Sequence, residues 1–204
     1  MSDQNNPLLQ AFDLPPFSKI KPEHIKPAIE TLIKDCKGAI EQAVSEPHPT
    51  WENLIMATDL TDDRLGKAWS PVSHMNSVVS SDELRDAFES CLPLLSEYST
   101  WVGQHKGLYQ AFQSLADSGE YQALNQAQKK VIDNALRDFK LSGVDLPEDK
   151  QQRYGEIQAR KSEIGSKFSN NVLDATNAWQ RVVIDQNELA GLPDSAVAAA
   201  KQMA

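Results

Sequence analysis

Apolar residues recur along most of this chain at intervals of three and four, the spacing that gathers side chains on one face of an α-helix. The first such run spans about Pro22 to Val44, with Ile25, Ile29, Leu32, Cys36, Ala39, Ile40 and Ala43 as its stripe. Pro27 lies early in it, where a proline bends the first turn or sets it apart. Glu46-Pro47-His48-Pro49 is a stop and a turn. A second run opens at Thr50, a good N-cap, and continues to about Val79 through Leu54, Thr58, Leu65, Trp69, Val72 and Met75. Pro71 should kink its interior. Ser80 and Glu83 have the spacing of a capping box for a third run, striped by Leu84, Phe88, Cys91, Leu95, Tyr98 and Val102. That periodicity carries on through His105, Leu108 and Phe112, and Asp117-Ser118-Gly119 ends it. The fourth run, about Asn125 to Leu141, would bury Ala127, Val131, Ala135 and Phe139 before Ser142-Gly143 stops it.

The longest run follows, from Leu146 to Trp179. Tyr154, Ile157, Ile164, Phe168, Val172, Ala175 and Trp179 share one face with Lys161, whose methylenes can lie along apolar surface. Asp145, Pro147 and Glu148 mark its start. Glu148, Asp149, Lys150, Gln152, Arg153, Glu156, Arg160 and Glu163 form the opposite, solvated face. A helix of this length cannot bury its stripe alone, so the pattern predicts that the other helices pack around it, with Phe168 in the core.

Two segments fall outside the helical pattern. Residues 1–21 lack periodicity, and Phe12, Leu14 and Phe17 flank Pro15-Pro16, which predicts an extended lead-in laid on a surface. Arg181-Val182-Val183-Ile184-Asp185 is short and β-branched and predicts a strand. The run from Ser195 to Ala204 has no cap, glycine or proline at its end, which predicts that the natural chain continues. The fold class expected is all-α: an antiparallel bundle of about five main helices with one long C-terminal helix, about 146–180. Residues 1–185 would be an N-terminal helical domain, and 186–204 the start of a following segment.

Composition narrows the function. A net charge of −9 argues against a nucleic-acid surface and against docking on anionic lipid. No window approaches the roughly 18 apolar residues of a membrane span. The first ten residues have neither a basic region nor an apolar one, so they do not read as a signal peptide. Cys36 and Cys91 both fall on apolar stripes and are expected to be buried free thiols, which makes a cytoplasmic location the default.

The chemistry sought in the sequence is not there. None of His24, His48, His74 and His105 lies in H-E-x-x-H, and no glutamate stands three residues before any of them. No cysteine pair has zinc spacing, and no glycine-rich phosphate loop or G-x-S-x-G elbow occurs. His105, on the third stripe, reads as a boundary histidine with one nitrogen satisfied. His74 stands near Pro71 among hydrogen-bonding neighbours and reads as part of a network on the carbonyl that the proline frees. Trp51, Trp69, Trp101 and Trp179 sit at helical spacing and read as core and boundary anchors.

Several stretches taken together resemble one family. They are Thr50-Trp-Glu-Asn-Leu54, Ser70-Pro-Val-Ser-His-Met-Asn-Ser-Val78 and Leu92-Pro-Leu-Leu-Ser-Glu-Tyr-Ser-Thr-Trp101. With them go Asp133-Asn-Ala-Leu-Arg-Asp-Phe139 followed by Ser142-Gly143, and Phe168-Ser-Asn-Asn-Val-Leu-Asp-Ala-Thr176. In order and over essentially the whole chain, these resemble the N-terminal part of the zinc metallopeptidases of the thimet oligopeptidase and neurolysin family. The resemblance implies a cytosolic enzyme that cuts short peptides in a deep channel between two mostly helical halves. Zinc would be held by the two histidines of H-E-x-x-H and a downstream glutamate, with the motif's own glutamate activating water.

That motif is absent here, so no catalytic, cofactor-binding or metal-binding residue carries over to any position of this sequence. The resemblance assigns the segment a structural part: one wall of the channel and a support for the catalytic half. The partners it implies are the catalytic C-terminal half of the same parent chain and short peptide substrates, with zinc in the parent and none in this segment. The alternative from another class is a free-standing helical protein-interaction module without enzymatic activity.

Overall fold

The structure is a computed structural model that describes residues 6–203. The chain divides into two compact units, Met1–Ile164 and Gly165–Ala204. Among the described residues the elements are helical throughout: α1 (Pro22–Val44), α2 (Ala57–Val78), α3 (Asp82–Gly103), α4 (Lys106–Ala116), α5 (Gly119–Ala123), α6 (Gln126–Leu141), α7 (Glu148–Ala178) and α8 (Asp194–Met203). The all-α class expected from periodicity is what the structure shows, and the five long helices are α1, α2, α3, α6 and α7.

In the first unit the hub is α1, not the long helix. Ile25, Ala28, Ile29, Leu32 and Cys36 of α1 enter a cluster with Leu65, Ala68 and Val72 of α2 and with Leu84, Cys91 and Tyr98 of α3. Further along the same face, Ile40 and Ala43 enter a second cluster with Leu108, Phe112 and Leu115 of α4 and with Ile132 and Phe139 of α6. Burial of an aliphatic side chain is worth about 1.5–3 kcal/mol, so α1 carries a large share of what holds this unit together. Trp69 stacks on Phe88 with ring centroids 4.8 Å apart, and Phe112 meets Phe139 edge-on at 5.4 Å.

The caps explain where the helices begin. Thr50 Oγ1 accepts from the Asn53 N–H at 3.0 Å, and Asn53 Oδ1 accepts from the Thr50 N–H at 2.7 Å. The first turns of this segment, Trp51–Met56, are π-helical before α2 takes over. Of the two adjacent serines ahead of α3, the second is the cap: Ser81 Oγ accepts from the Leu84 N–H at 3.3 Å. Asn125 and Gln128 make a reciprocal box at the start of α6.

The third apolar run breaks into two helices. Backbone bonds from Gln104 to the Thr100 carbonyl and from His105 to the Val102 carbonyl close α3, and His105 starts α4. The stop after α6 is as read. Gly143 takes φ +85°, the Val144 N–H donates to the Phe139 carbonyl at 3.1 Å and the Gly143 N–H to the Lys140 carbonyl at 3.0 Å, the Schellman arrangement. At this turn two glutamine amides tie three pieces together. Gln104 Nε2 donates to the carbonyls of Ser142 and Gln151 at 3.1 and 3.3 Å, while Gln151 Nε2 donates to those of Gly143 and Val144, each at 3.0 Å.

Several expectations are corrected. No residue of α7 is buried, so the helices do not pack around it; Phe168 is 69% exposed and Trp179 73%. The stripe fixed which face is apolar, but periodicity carries no information on whether a cover lies within these residues. In α6 the buried position is Ile132, with Val131 half-exposed and Ala127 on the surface. Two adjacent aliphatics leave the phase of a short stripe ambiguous, and packing chose the second. In the lead-in Leu8 and Ile20 are buried, and Asn6 Nδ2 donates to the His24 carbonyl at 2.8 Å. Residues 1–5 of that lead-in lie outside the described residues.

The second unit holds the rest of α7, a non-helical stretch, a 3-10 turn at Gln186–Leu189, and α8. The strand expected at 181–185 does not form, because a single β-branched run has nothing to pair with. Arg181 instead forms an ion pair with Glu188, and Asp185 Oδ1 accepts from the Asn187 N–H at 2.9 Å.

Two outcomes follow for the first unit. Ile132→Ala should cost about 2–5 kcal/mol in chemical denaturation, whereas the neighbouring Val131→Ala should change stability by less than about 0.5 kcal/mol; equal losses would mean that α6 faces the other way. The second concerns alkali. Burial pushes the thiols of Cys36 and Cys91 above their ordinary 9.0, and burial beside Cys36 and Asp62 pushes the Tyr98 phenol above its ordinary 10.0. Above about pH 9 the unfolded chain releases protons that the folded chain keeps, so stability is full below that pH and declines as pH rises. Urea midpoints measured from pH 7 to 10.5 should fall only in the upper part of the range, and Tyr98→Phe should flatten the part of the fall above pH 10.

Candidate functional site

The groups most capable of chemistry are dispersed, and local structure already uses two of them. His105 is the N-cap of α4: its Nδ1 accepts from the Leu108 N–H at 3.0 Å, and its Nε2 lies 3.3 Å from Glu41 Oε1 on α1. An acceptor Nδ1 requires the proton on Nε2, so this ring is oriented by the backbone on one side and a carboxylate on the other. Both nitrogens are engaged where the sequence led us to expect one. The ring also meets Trp101 edge-on at 4.7 Å, with Lys37 Nζ 5.1 Å from the Trp101 centroid. His24 does the same work at the start of α1, its Nδ1 accepting from the Lys21 N–H at 3.1 Å. His74 is placed against Phe17, centroids 5.7 Å apart, rather than in a network on the carbonyl freed by Pro71. His48 lies in the turn before Thr50, where its carbonyl accepts from Asn53 Nδ2 at 3.0 Å.

Cys36 and Cys91 are buried free thiols. Desolvation makes them poor nucleophiles, since the thiolate is the reactive form. Tyr98 O–H donates to Asp62 Oδ1 at 3.2 Å across α2 and α3. These groups lie on the seam between helices, where they satisfy one another rather than face a cleft. Among the described residues no group of three His, Cys, Asp or Glu side chains is placed to hold a metal ion. A peptidase zinc needs three such ligands at one point, and the donors here sit on separate elements with two imidazoles occupied by helix caps. These residues do not fit the zinc that the resemblance implies for the parent.

The open grooves of the first unit lined by described residues include two of note. One, about 300 Å³, lies under residues 8–12 and is edged by Arg64 and Lys67. Both cations already have carboxylate neighbours, Asp35 at 3.7 Å and Asp63 at 2.6 Å. The other, about 450 Å³, is lined by Lys106, Tyr109, Gln110, Gln113 and Asp145 and is a shallow polar surface. Neither brings a nucleophile and a base together. Of the four tryptophans, Trp51, Trp69 and Trp101 pack against the clusters as anchors. Trp179 departs from that reading and stands in solvent. No described helix is long and apolar enough to cross a membrane.

What the structure presents, then, is a helical scaffold with uncovered apolar side chains and no assembled reaction centre among the described residues. Comparison with known proteins identifies the family. A family model described as "Neurolysin/Thimet oligopeptidase, N-terminal domain" matches residues 29–151. Oligopeptidase A of Haemophilus influenzae is 62% identical over 200 residues, covering 98% of this chain and 29% of that protein. Oligopeptidase A of Escherichia coli is 60% identical over the same share of each. A probable cytosolic oligopeptidase A of Arabidopsis thaliana is 33% identical over 95% of this chain and 28% of its own. The chain thus spans somewhat under a third of the length of these relatives. It belongs to the neurolysin/thimet oligopeptidase family, of which it carries the N-terminal domain.

Proposed function

We propose that this chain is the N-terminal helical, channel-wall part of a zinc-dependent oligopeptidase of the cytosol that hydrolyses short peptides. One observation carries the reading: identity of 60% and above to two oligopeptidase A proteins over 98% of the chain, with only 29% of their length accounted for. At that identity the fold and the part played within the longer protein go together. The catalytic C-terminal half of the same parent chain is the partner, and it brings both the zinc and the residues that activate water. The dispersal of histidines over separate elements supports placing the chemistry elsewhere. Residues 1–185 are the N-terminal domain in this reading, and 186–204 open the following segment, where the 3-10 turn at Gln186 begins.

The test compares two lengths of the protein. The full-length chain should bind one zinc per molecule and cleave short peptides in a chelator-sensitive way. The 204-residue chain should do neither. One tightly held zinc per 204-residue chain, together with chelator-sensitive cleavage, would overturn the reading.

A further inference from the structure

The start of α4 is capped by a lone pair that a proton can take. His105 Nδ1 accepts from the Leu108 N–H at 3.0 Å, which satisfies one of the backbone donors that every helix start leaves over. Leu108 itself is 4% exposed and packs in the second cluster with Ile40 and Ala43 of α1, so little water is at hand to replace the ring. Serine, threonine and asparagine cap with an oxygen that remains an acceptor at every pH near neutrality. An imidazole does not. A proton on Nδ1 removes the lone pair and sets one N–H against another.

The other side of the ring decides where it goes. Nε2 lies 3.3 Å from Glu41 Oε1 on α1, and a charged ring strengthens that bond. The Glu41 side chain is 61% exposed, so the pull is modest, whereas the loss of the acceptor at Nδ1 is complete. The other charges about the ring are Lys37 of α1, whose Nζ lies 5.1 Å from the Trp101 centroid, and Lys106, which follows it on α4. From α3 the ring meets the uncharged Trp101. The first turn of α4 has no acidic residue to hold a cation at the positive end of the helix. The attraction for a charged ring therefore lies toward α1.

We infer that His105 is a proton-operated catch on α4. The neutral ring caps the helix; the protonated ring releases the Leu108 N–H and stays with Glu41. Release loosens the turn that carries Lys106 and Tyr109, which line the polar groove of about 450 Å³, so the catch alters the shape of that groove.

Nitrogen NMR and amide exchange of the 204-residue chain test this from about pH 8 to about pH 5, the span in which histidine ordinarily changes charge. As His105 Nδ1 passes from bare to protonated, protection of the Leu108 amide, corrected for the intrinsic effect of pH on exchange, should fall about fivefold, the worth of one cap. The amide of Phe112, one turn further into the helix, should hold its protection. His105→Asn supplies an amide oxygen that caps without titrating, so its Leu108 protection should stay level across the range. Protonation of Nδ1 with Leu108 protection unchanged overturns the inference. So does an Nδ1 that stays bare down to about pH 5, and so does an equal fall in H105N, which traces the opening to other groups. The first two outcomes are read on the unsubstituted chain, so a variant that fails to fold leaves the decision in place.

Discussion

Burial of one face of α1 is the constraint on which the first unit depends. The same helix supplies Ile29 and Leu32 to one cluster and Ile40 and Ala43 to the next, so the two clusters share a single rigid spine. Small residues in that face matter as much as large ones. Ala28 is wholly buried, and its lone methyl leaves room for neighbouring side chains to reach the helix surface. Helices α2 and α3 then bring Leu65, Val72, Leu84 and Cys91 to that spine, and α4 and α6 bring Leu115 and Ile132 to its far end. Caps and stops decide how long each helix is, but α1 decides where each one lies.

Much of this was legible before any coordinates. The limits of α1 and α6, the Thr50 cap and the Ser142-Gly143 stop follow from residue types whose backbone preferences are strong. The break between α3 and α4 was hidden because Val102, Leu108 and Phe112 keep the helical period across it, although Gly103 and Gly107 flank it. Position along a stripe was also readable, but not its cover. The apolar face of α7 was identified but its burial was wrongly expected, because the periodic pattern is the same whether or not the face is covered. Residues 181–185 show the parallel failure for strands, where propensity without a partner gives no sheet.

The chemistry was legible mainly as dispersal. Histidine suggests a ligand or a base, yet His24 and His105 spend their Nδ1 lone pairs on backbone N–H groups at helix starts. Nothing in sequence spacing distinguishes that use, since capping by histidine is less common than capping by serine, threonine, aspartate or asparagine. In the first unit these polar groups hold helix starts in place.

The two glutamines at the root of α7 have a consequence of their own. Every donor in the Gln104–Gln151 latch is an uncharged amide, and every acceptor is a backbone carbonyl. Further along the helix the Arg153–Glu156 and Arg160–Glu163 pairs are exposed to solvent. Raising ionic strength weakens pairs of that kind, since counterions screen them. An amide latch does not feel that screening. The start of α7 is therefore tied to the end of α3 and to the Gly143 turn by contacts indifferent to the electrolyte, and a change of ionic conditions reaches the surface of the helix without loosening that tie.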